Sequence, residues 1–255
     1  MRRQITGVLL AIAITTAMDA LGASAFSALP LFPLMGLFWY LDRLPARKVG
    51  FARGRWGHYG LAILYPLLVL GAAALFALAA GAVETGATNW EKARLNLIAI
   101  TTATILVSIV TEEGFFRGWL WASLEQLGWK ESRILVGTSV AFSIWHLSAV
   151  SLPTGFDLPA AQVPIYLLNA AIIGANWGML RLASGSLIVA AVSHGVWNGL
   201  AYVFFGFGTR VGALGVKETS FYGPEVGILG VLLNLAFAAA LWWWLGRERA
   251  RSVKA

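Results

Sequence analysis

Leu95–Leu120 reads LNLIAITTATILVSIVTEEGFFRGWL. Its first part, Leu95–Val110, carries no charged residue. It then runs, without a turn signal, into Thr111-Glu112-Glu113-Gly114-Phe115-Phe116-Arg117-Gly118. About 20 mainly apolar residues span a bilayer as a helix, so this stretch reads as a membrane span that carries ionisable groups at depth. Working outward, seven further apolar stretches appear: Ile5–Gly22, Phe26–Leu41, His58–Ala82, Ile134–Val150, Val163–Leu182, Ser186–Phe207 and Val226–Leu245. The expected fold is therefore all-α, a polytopic integral membrane protein of about eight transmembrane helices. It forms a single domain over residues 1–255, with a motif-bearing core at about 95–207. Connections are short except Asp42–Gly57 and Gly208–Glu225.

Composition agrees. Of the 255 residues, 58% are hydrophobic and 12% charged, against roughly 25% charged in soluble proteins. A soluble globular protein or a disordered chain is thereby excluded. Cysteine is absent, which removes disulfides, thiolate metal sites and a thiol nucleophile. The net charge of +7 does not indicate nucleic-acid binding, because the basic residues border the apolar segments. With a cytoplasmic N-terminus, inside segments hold Arg2, Arg3, Arg43, Arg47, Lys48, Arg53, Arg55, Lys130, Arg133, Arg181, Arg247, Arg249, Arg251 and Lys254. Outside loops hold only Lys92, Arg94, Arg210 and Lys217. Both termini are expected in the cytoplasm. Arg2, Arg3 and the run to Ala23-Ser24-Ala25 resemble a cleavable signal, but Asp19 and the apolar stretches that follow argue for a retained first helix.

Two of the three histidines fall inside apolar stretches, His146 in Phe142-Ser143-Ile144-Trp145-His146 and His194 in His194-Gly195-Val196-Trp197-Asn198. The third, His58, reads as interfacial. Residues four apart share a helix face, whereas neighbours diverge by about 100°. Glu113 and Arg117 thus pair within their helix, and Glu112 points elsewhere. His194 and Asn198 converge, with Tyr202 a turn further, and Phe142 walls His146. Glu112, His146, His194 and Asn198 can then face one cavity from three helices. Gly114 with Gly118, Gly174 with Gly178, and Gly195 with Gly199 are small-residue pairs that permit close helix approach. Asp19, Asn169, Asn176 and Asn234 read as interhelical hydrogen-bonding residues, and the tryptophans, notably Trp242-Trp243-Trp244, as interfacial belts. Neither a G-x-S-x-G elbow nor the zinc motif H-E-x-x-H occurs, and a serine nucleophile fits poorly.

Glu112-Glu113…Arg117, Phe142…His146 and His194…Asn198, in that order, resemble the CAAX protease and bacteriocin-processing (ABI) family of intramembrane proteases, which includes the type II CAAX prenyl endopeptidases. The resemblance implies hydrolysis of a peptide bond in a membrane-associated, lipidated or hydrophobic peptide. It implies Glu112 and His146 as the water-activating pair, His194 and Asn198 as oxyanion donors, and Glu113 and Arg117 as support. A metal version uses the same residues: Glu112, His146 and His194 could hold Zn²⁺, with Glu113 or Asn198 as a further oxygen ligand. Spacing alone does not choose. The metal-free version is favoured because it gives Asn198 a natural task. The partners expected are lipid and a hydrophobic or lipidated peptide, not nucleic acid. The expected place is a prokaryotic plasma membrane, with cleavage near its cytoplasmic half. A non-catalytic immunity or scaffold protein and a proton-coupled transporter are the competing classes. The second has no repeat of Glu112-Glu113 in the other half of the chain to support it.

Overall fold

A computed structural model describes residues 1–86, 88–208 and 210–252. It is helical over 75% of its length. The long helices are α1 (Arg2–Ala20), α2 (Leu31–Asp42), α3 (Trp56–Ala79), α4 (Trp90–Val110), α5 (Glu131–Trp145), α6 (Leu147–Ser151, a short continuation of α5), α7 (Val163–Ser184), α8 (Leu187–Leu200) and α9 (Ile228–Ser252). After α4 the chain continues as a π-helical stretch over Glu113–Leu120 and an α-helical turn over Trp121–Gln126. The only strands among the described residues are the two-residue pair Gly206–Phe207 and Arg210–Val211.

Among the described residues, seven helical stretches are long and apolar enough to cross a membrane, beginning at Ser24, Trp56, Trp90, Glu131, Val163, Leu187 and Ile228. The protein is an integral, multi-pass membrane protein. The first expected span differs. Helix α1 forms, but Arg3, Gln4, Thr15, Thr16 and Asp19 lower its hydropathy. Its buried stripe is Gln4, Gly7, Ala11, Thr15 and Asp19, so much of its polarity faces the bundle. Trp145 Nε1 donates to Thr15 Oγ1 at 2.8 Å and Ser148 Oγ to Asp19 Oδ2 at 2.7 Å. These bonds tie α1 to α5 and α6, and Asp19 acts between helices as its sequence suggests.

Burial is inverted relative to a soluble protein. Leu67, Leu68, Leu75, Ile98, Leu106, Leu168 and Leu232 are exposed and face where lipid would lie, while Glu113, Arg117, Asn169, Asn176 and Asn234 are at 0% exposure. Helices α7 and α8 are the most enclosed spans. The small-residue pairs mark the close approaches. A Cβ on Gly195 would lie 2.7 Å from the Thr101 carbonyl of α4, and one on Gly174 would lie 2.7 Å from Arg117 Nη2. On Gly178 it would meet Leu135 of α5 at 2.5 Å, and on Gly114 it would meet Met35 Sδ of α2 at 2.6 Å. Gly195→Val is therefore expected to destabilise the fold by about 1–3 kcal/mol through overpacking, measured as a lowered midpoint of thermal unfolding in detergent. An unchanged midpoint would mean that α4 and α8 are not held this closely.

A second polar cluster clamps the far connection. Tyr65 Oη donates to Asn234 Oδ1 at 2.6 Å, Asn234 Nδ2 to Asn169 Oδ1 at 3.0 Å, and Asn169 Nδ2 to the carbonyls of Pro224 and Glu225 at 2.7 and 3.1 Å. Asn176 Nδ2 donates to Tyr65 Oη at 3.1 Å. Buried amides without partners are costly in lipid, so this chain of bonds fixes α3, α7 and α9 together. It also pins the backbone at 224–225 against the bundle.

Candidate active site

The motif-bearing part of the fourth stretch is not a regular α-helix. At Thr111 the backbone leaves helical geometry, with φ −102° and ψ −102°, and the π-helical segment that follows is buried at all eight of its positions. Helix α4 lies at the periphery with Ile98, Leu106 and Val107 exposed. The break turns the chain from the lipid-facing edge into the core within one turn. A π segment adds a residue to each turn and is common where a helix must re-aim side chains. The polar sequence Thr111-Glu112-Glu113 and the small residues Gly114 and Gly118 allow it.

The expected intrahelical ion pair is present: Arg117 Nη1 lies 3.2 Å from Glu113 Oε1, both side chains fully buried. Arg117 Nη2 also donates to the Gly174 carbonyl at 3.0 Å, and its guanidinium lies 4.2 Å from the centre of the Phe142 ring. Glu113 has a further partner that sequence spacing did not show. His194 Nδ1 lies 3.1 Å from the same Oε1. The carboxylate can only accept, so His194 carries its proton on Nδ1 and turns Nε2 toward Glu112, with Trp177 stacked on the ring at 4.0 Å and 18°.

His146 sits where α5 gives way to α6, its own N–H bonded to the Ser143 carbonyl at 3.1 Å. Its Nδ1 lies 2.9 Å from the Phe142 carbonyl, which again can only accept. Nε2 is therefore left facing the cavity. Phe142 and Trp145 meet the ring edge-on at 4.5 and 4.7 Å, so Phe142 does wall His146. Glu112 Oε2 completes the group at 3.8 Å from His146 Nε2 and 3.9 Å from His194 Nε2. Those separations are too long for direct hydrogen bonds. The Glu112 and His146 side chains are each 17% exposed and His194 3%, so the group is sheltered but not sealed.

Glu112, Phe142, His146, His194 and Asn198 line one cavity of about 70 Å³, with Tyr166, Trp177, Trp197, Tyr202 and Glu225. The convergence of one carboxylate, two imidazoles and a carboxamide from three spans is as the motifs suggest, and Tyr202 joins them. Glu225 was not expected. It belongs to the connection before α9, and the only sequence signal was a carboxylate beside Pro224 at the edge of an apolar run. It also lines a second cavity of about 190 Å³, between the connections 152–162 and 206–227. Phe156 bridges the two cavities, packing on Tyr166 at 5.6 Å, Tyr202 at 6.0 Å and Phe207 at 5.5 Å. The chamber thus adjoins the connections 152–162 and 206–227, with the backbone at 224–225 held inward by Asn169.

The same atoms bear on metal binding. Among the described residues no group of three His, Asp or Glu side chains is arranged to hold a metal ion. Donor atoms around a tetrahedral zinc with bonds near 2.0–2.1 Å lie about 3.3 Å apart, closer than Glu112 lies to either imidazole.

Residues 94–200 match the family model described as type II CAAX prenyl endopeptidase Rce1-like. All three motifs, from Glu112 to Asn198, lie within the matched range. No curated protein and no solved structure matches the chain. The match supports membrane endopeptidase activity of the CAAX type in general terms.

Proposed function

From the membership of its 94–200 segment in the Rce1-like family of CAAX endopeptidases, we propose that this protein hydrolyses a peptide bond in a membrane-associated, lipidated or hydrophobic peptide, with no metal in the reaction. The observation that carries the proposal is Glu112 Oε2 standing 3.8 and 3.9 Å from two imidazole nitrogens. A polar separation of that length accommodates a bridging water, which sits about 2.8 Å from each atom. Such a water is held by the carboxylate that takes its proton.

Glu112 accepts a proton from the water as its oxygen adds to the scissile carbonyl carbon. His146, whose Nε2 is directed into the chamber by the bond from Nδ1 to Phe142, orients the water, takes the proton back from Glu112 and passes it to the leaving amine as the C–N bond breaks. The products are one carboxylic acid and one amine. The carbonyl oxygen gains negative charge in between, and the Asn198 amide and His194 Nε2, which both line the chamber, donate to it in this reading. Because the Nδ1 proton of His194 is directed to Glu113, Nε2 donates only in the imidazolium form, whose charge Glu113 offsets. The Glu113–Arg117 pair therefore supports catalysis through His194. The metal-free reading is supported by Glu112 standing farther from both imidazoles than donor atoms stand from one another around a tetrahedral zinc.

The test is cleavage of a tethered peptide library by the purified protein in lipid. Chelator-treated protein without stoichiometric metal should retain full activity, and His146→Ala should reduce it by about 10²-fold or more. A metal bound one to one, whose removal stops cleavage, would overturn the metal-free chemistry. Compact connections favour a prokaryotic plasma membrane as the setting. A non-catalytic scaffold would show no product with any peptide and a cellular effect that survives alanine at Glu112, His146, His194 and Asn198.

A further inference from the structure

Three places outside the hydrolytic group stand out. One is a groove at the start of α3 lined by Arg55, His58 and Trp244, and nothing in the structure says what covers it. Another is the asparagine cluster around Asn234, whose bonds are accounted for by holding the helices. The third is Glu225, and it carries an inference. Resting on the proposed hydrolysis, we infer that Glu225 is a specificity-determining residue: at the neck between the outer cavity and the chamber, its carboxylate receives a cationic side chain of the peptide.

The position comes first. Glu225 lines both cavities, so a peptide reaching the Glu112–His146–His194 group from the outer cavity passes it. Its backbone is fixed by Asn169, and Trp197 Nε1 donates to its Oε1 at 2.8 Å. Glu225 lines the same chamber as Asn198 and His194. A carboxylate held from both sides does not fold away when substrate arrives.

Charge supplies the preference. The chamber lining includes the carboxylates of Glu112 and Glu225 and no lysine or arginine, and the one cation lining the outer cavity, Arg210, lies over the Phe207 ring at 4.9 Å. The buried Arg117 is already paired with Glu113. A lysine or arginine side chain entering this space meets an attractive potential in a sheltered setting, where it counts for more than in water. An aspartate or glutamate meets a repulsive one. Burial pushes the Glu225 carboxyl up to about 7, against the bond from Trp197 and the nearby His194, which act the other way. An arriving cation would hold it ionised.

A purely structural role is the competing account, in which Glu225 serves only to satisfy the Trp197 indole and hold the connection down. Glu225→Gln separates the two, because the amide oxygen still accepts from Trp197 while the charge is gone. The experiment measures kcat/KM in lipid vesicles for tethered peptides with lysine, leucine or aspartate at successive positions on each side of the cleaved bond. Wild-type protein should prefer lysine over leucine at one or more positions by about tenfold, the effect of roughly 1.4 kcal/mol. Glu225→Gln should erase that preference by lowering kcat/KM for the lysine peptides about tenfold more than for the leucine peptides, with an unchanged unfolding midpoint. Glu225→Lys should turn the preference toward aspartate. A lysine preference that survives Glu225→Gln, no lysine preference in the wild type, or an equal loss on all peptides would each overturn the inference. If wild-type protein cuts nothing, or if Glu112→Gln cuts as well as wild type, it is instead the hydrolysis itself that fails.

Discussion

Glu112→Gln is expected to lower peptide hydrolysis by about 10²–10⁴-fold, the range for a removed general base, while leaving the protein folded. The substitution is close to isosteric, and Glu112 makes no direct hydrogen bond to the two imidazoles, which stand 3.8 and 3.9 Å from its Oε2. The substitution therefore breaks no hydrogen bond to them, and the loss should lie in kcat rather than KM. The measurement is single-turnover cleavage of a bound peptide, with unfolding followed in parallel. Activity within fivefold of wild type would remove Glu112 from the chemistry. Asn198→Ala should show a smaller loss, about 10²-fold, as expected for one oxyanion donor among others.

The largest effect on stability is expected at Arg117. Glu113 and Arg117 are both fully buried and 3.2 Å apart. Removing Arg117 leaves the buried Glu113 charge with only His194 Nδ1 at 3.1 Å, and breaking a buried pair costs about 3–5 kcal/mol. Arg117→Leu should therefore lower the unfolding midpoint sharply, and the double variant Glu113→Gln with Arg117→Leu should recover part of the loss. The double variant should still be impaired in catalysis, because His194 then faces an amide in place of the carboxylate at 3.1 Å. If Arg117→Leu unfolds no earlier than wild type, the pair is solvated and this account of it is wrong. Recovery of stability with full activity would mean that Glu113 acts only as the arginine's counterion and not through His194.

Much of this was legible in the chain. Length and apolarity alone define the spans, since a stretch such as Leu95–Val110 has no stable place outside a membrane. Helical spacing alone pairs Glu113 with Arg117 and His194 with Asn198, because residues four apart meet whatever the rest of the molecule does. The motifs in order carry the resemblance to the family whose model matches residues 94–200. The weaker status of α1 is also written in its own residues, in the polar stripe Gln4, Thr15 and Asp19 that turns inward.

Other features needed the folded chain, for one physical reason: they join residues far apart in sequence. Nothing local says that Glu113 reaches His194, 81 positions away, as well as Arg117. Nothing local says that the helix carrying Glu112 breaks at Thr111 and enters the core as a π segment, since that depends on the room left by Met35, Val49 and Leu187 around Gly114 and Gly118. The place of Glu225 depends on Asn169, 56 positions before it, drawing the connection inward. Periodicity reports which face of a helix a group occupies, whereas the distance between groups on different helices is set by packing. In this protein the amino-acid order determined the helices, their number to within one, and the cast of polar residues. Only the tertiary packing decided which of them touch and which nitrogen of each histidine faces the chamber.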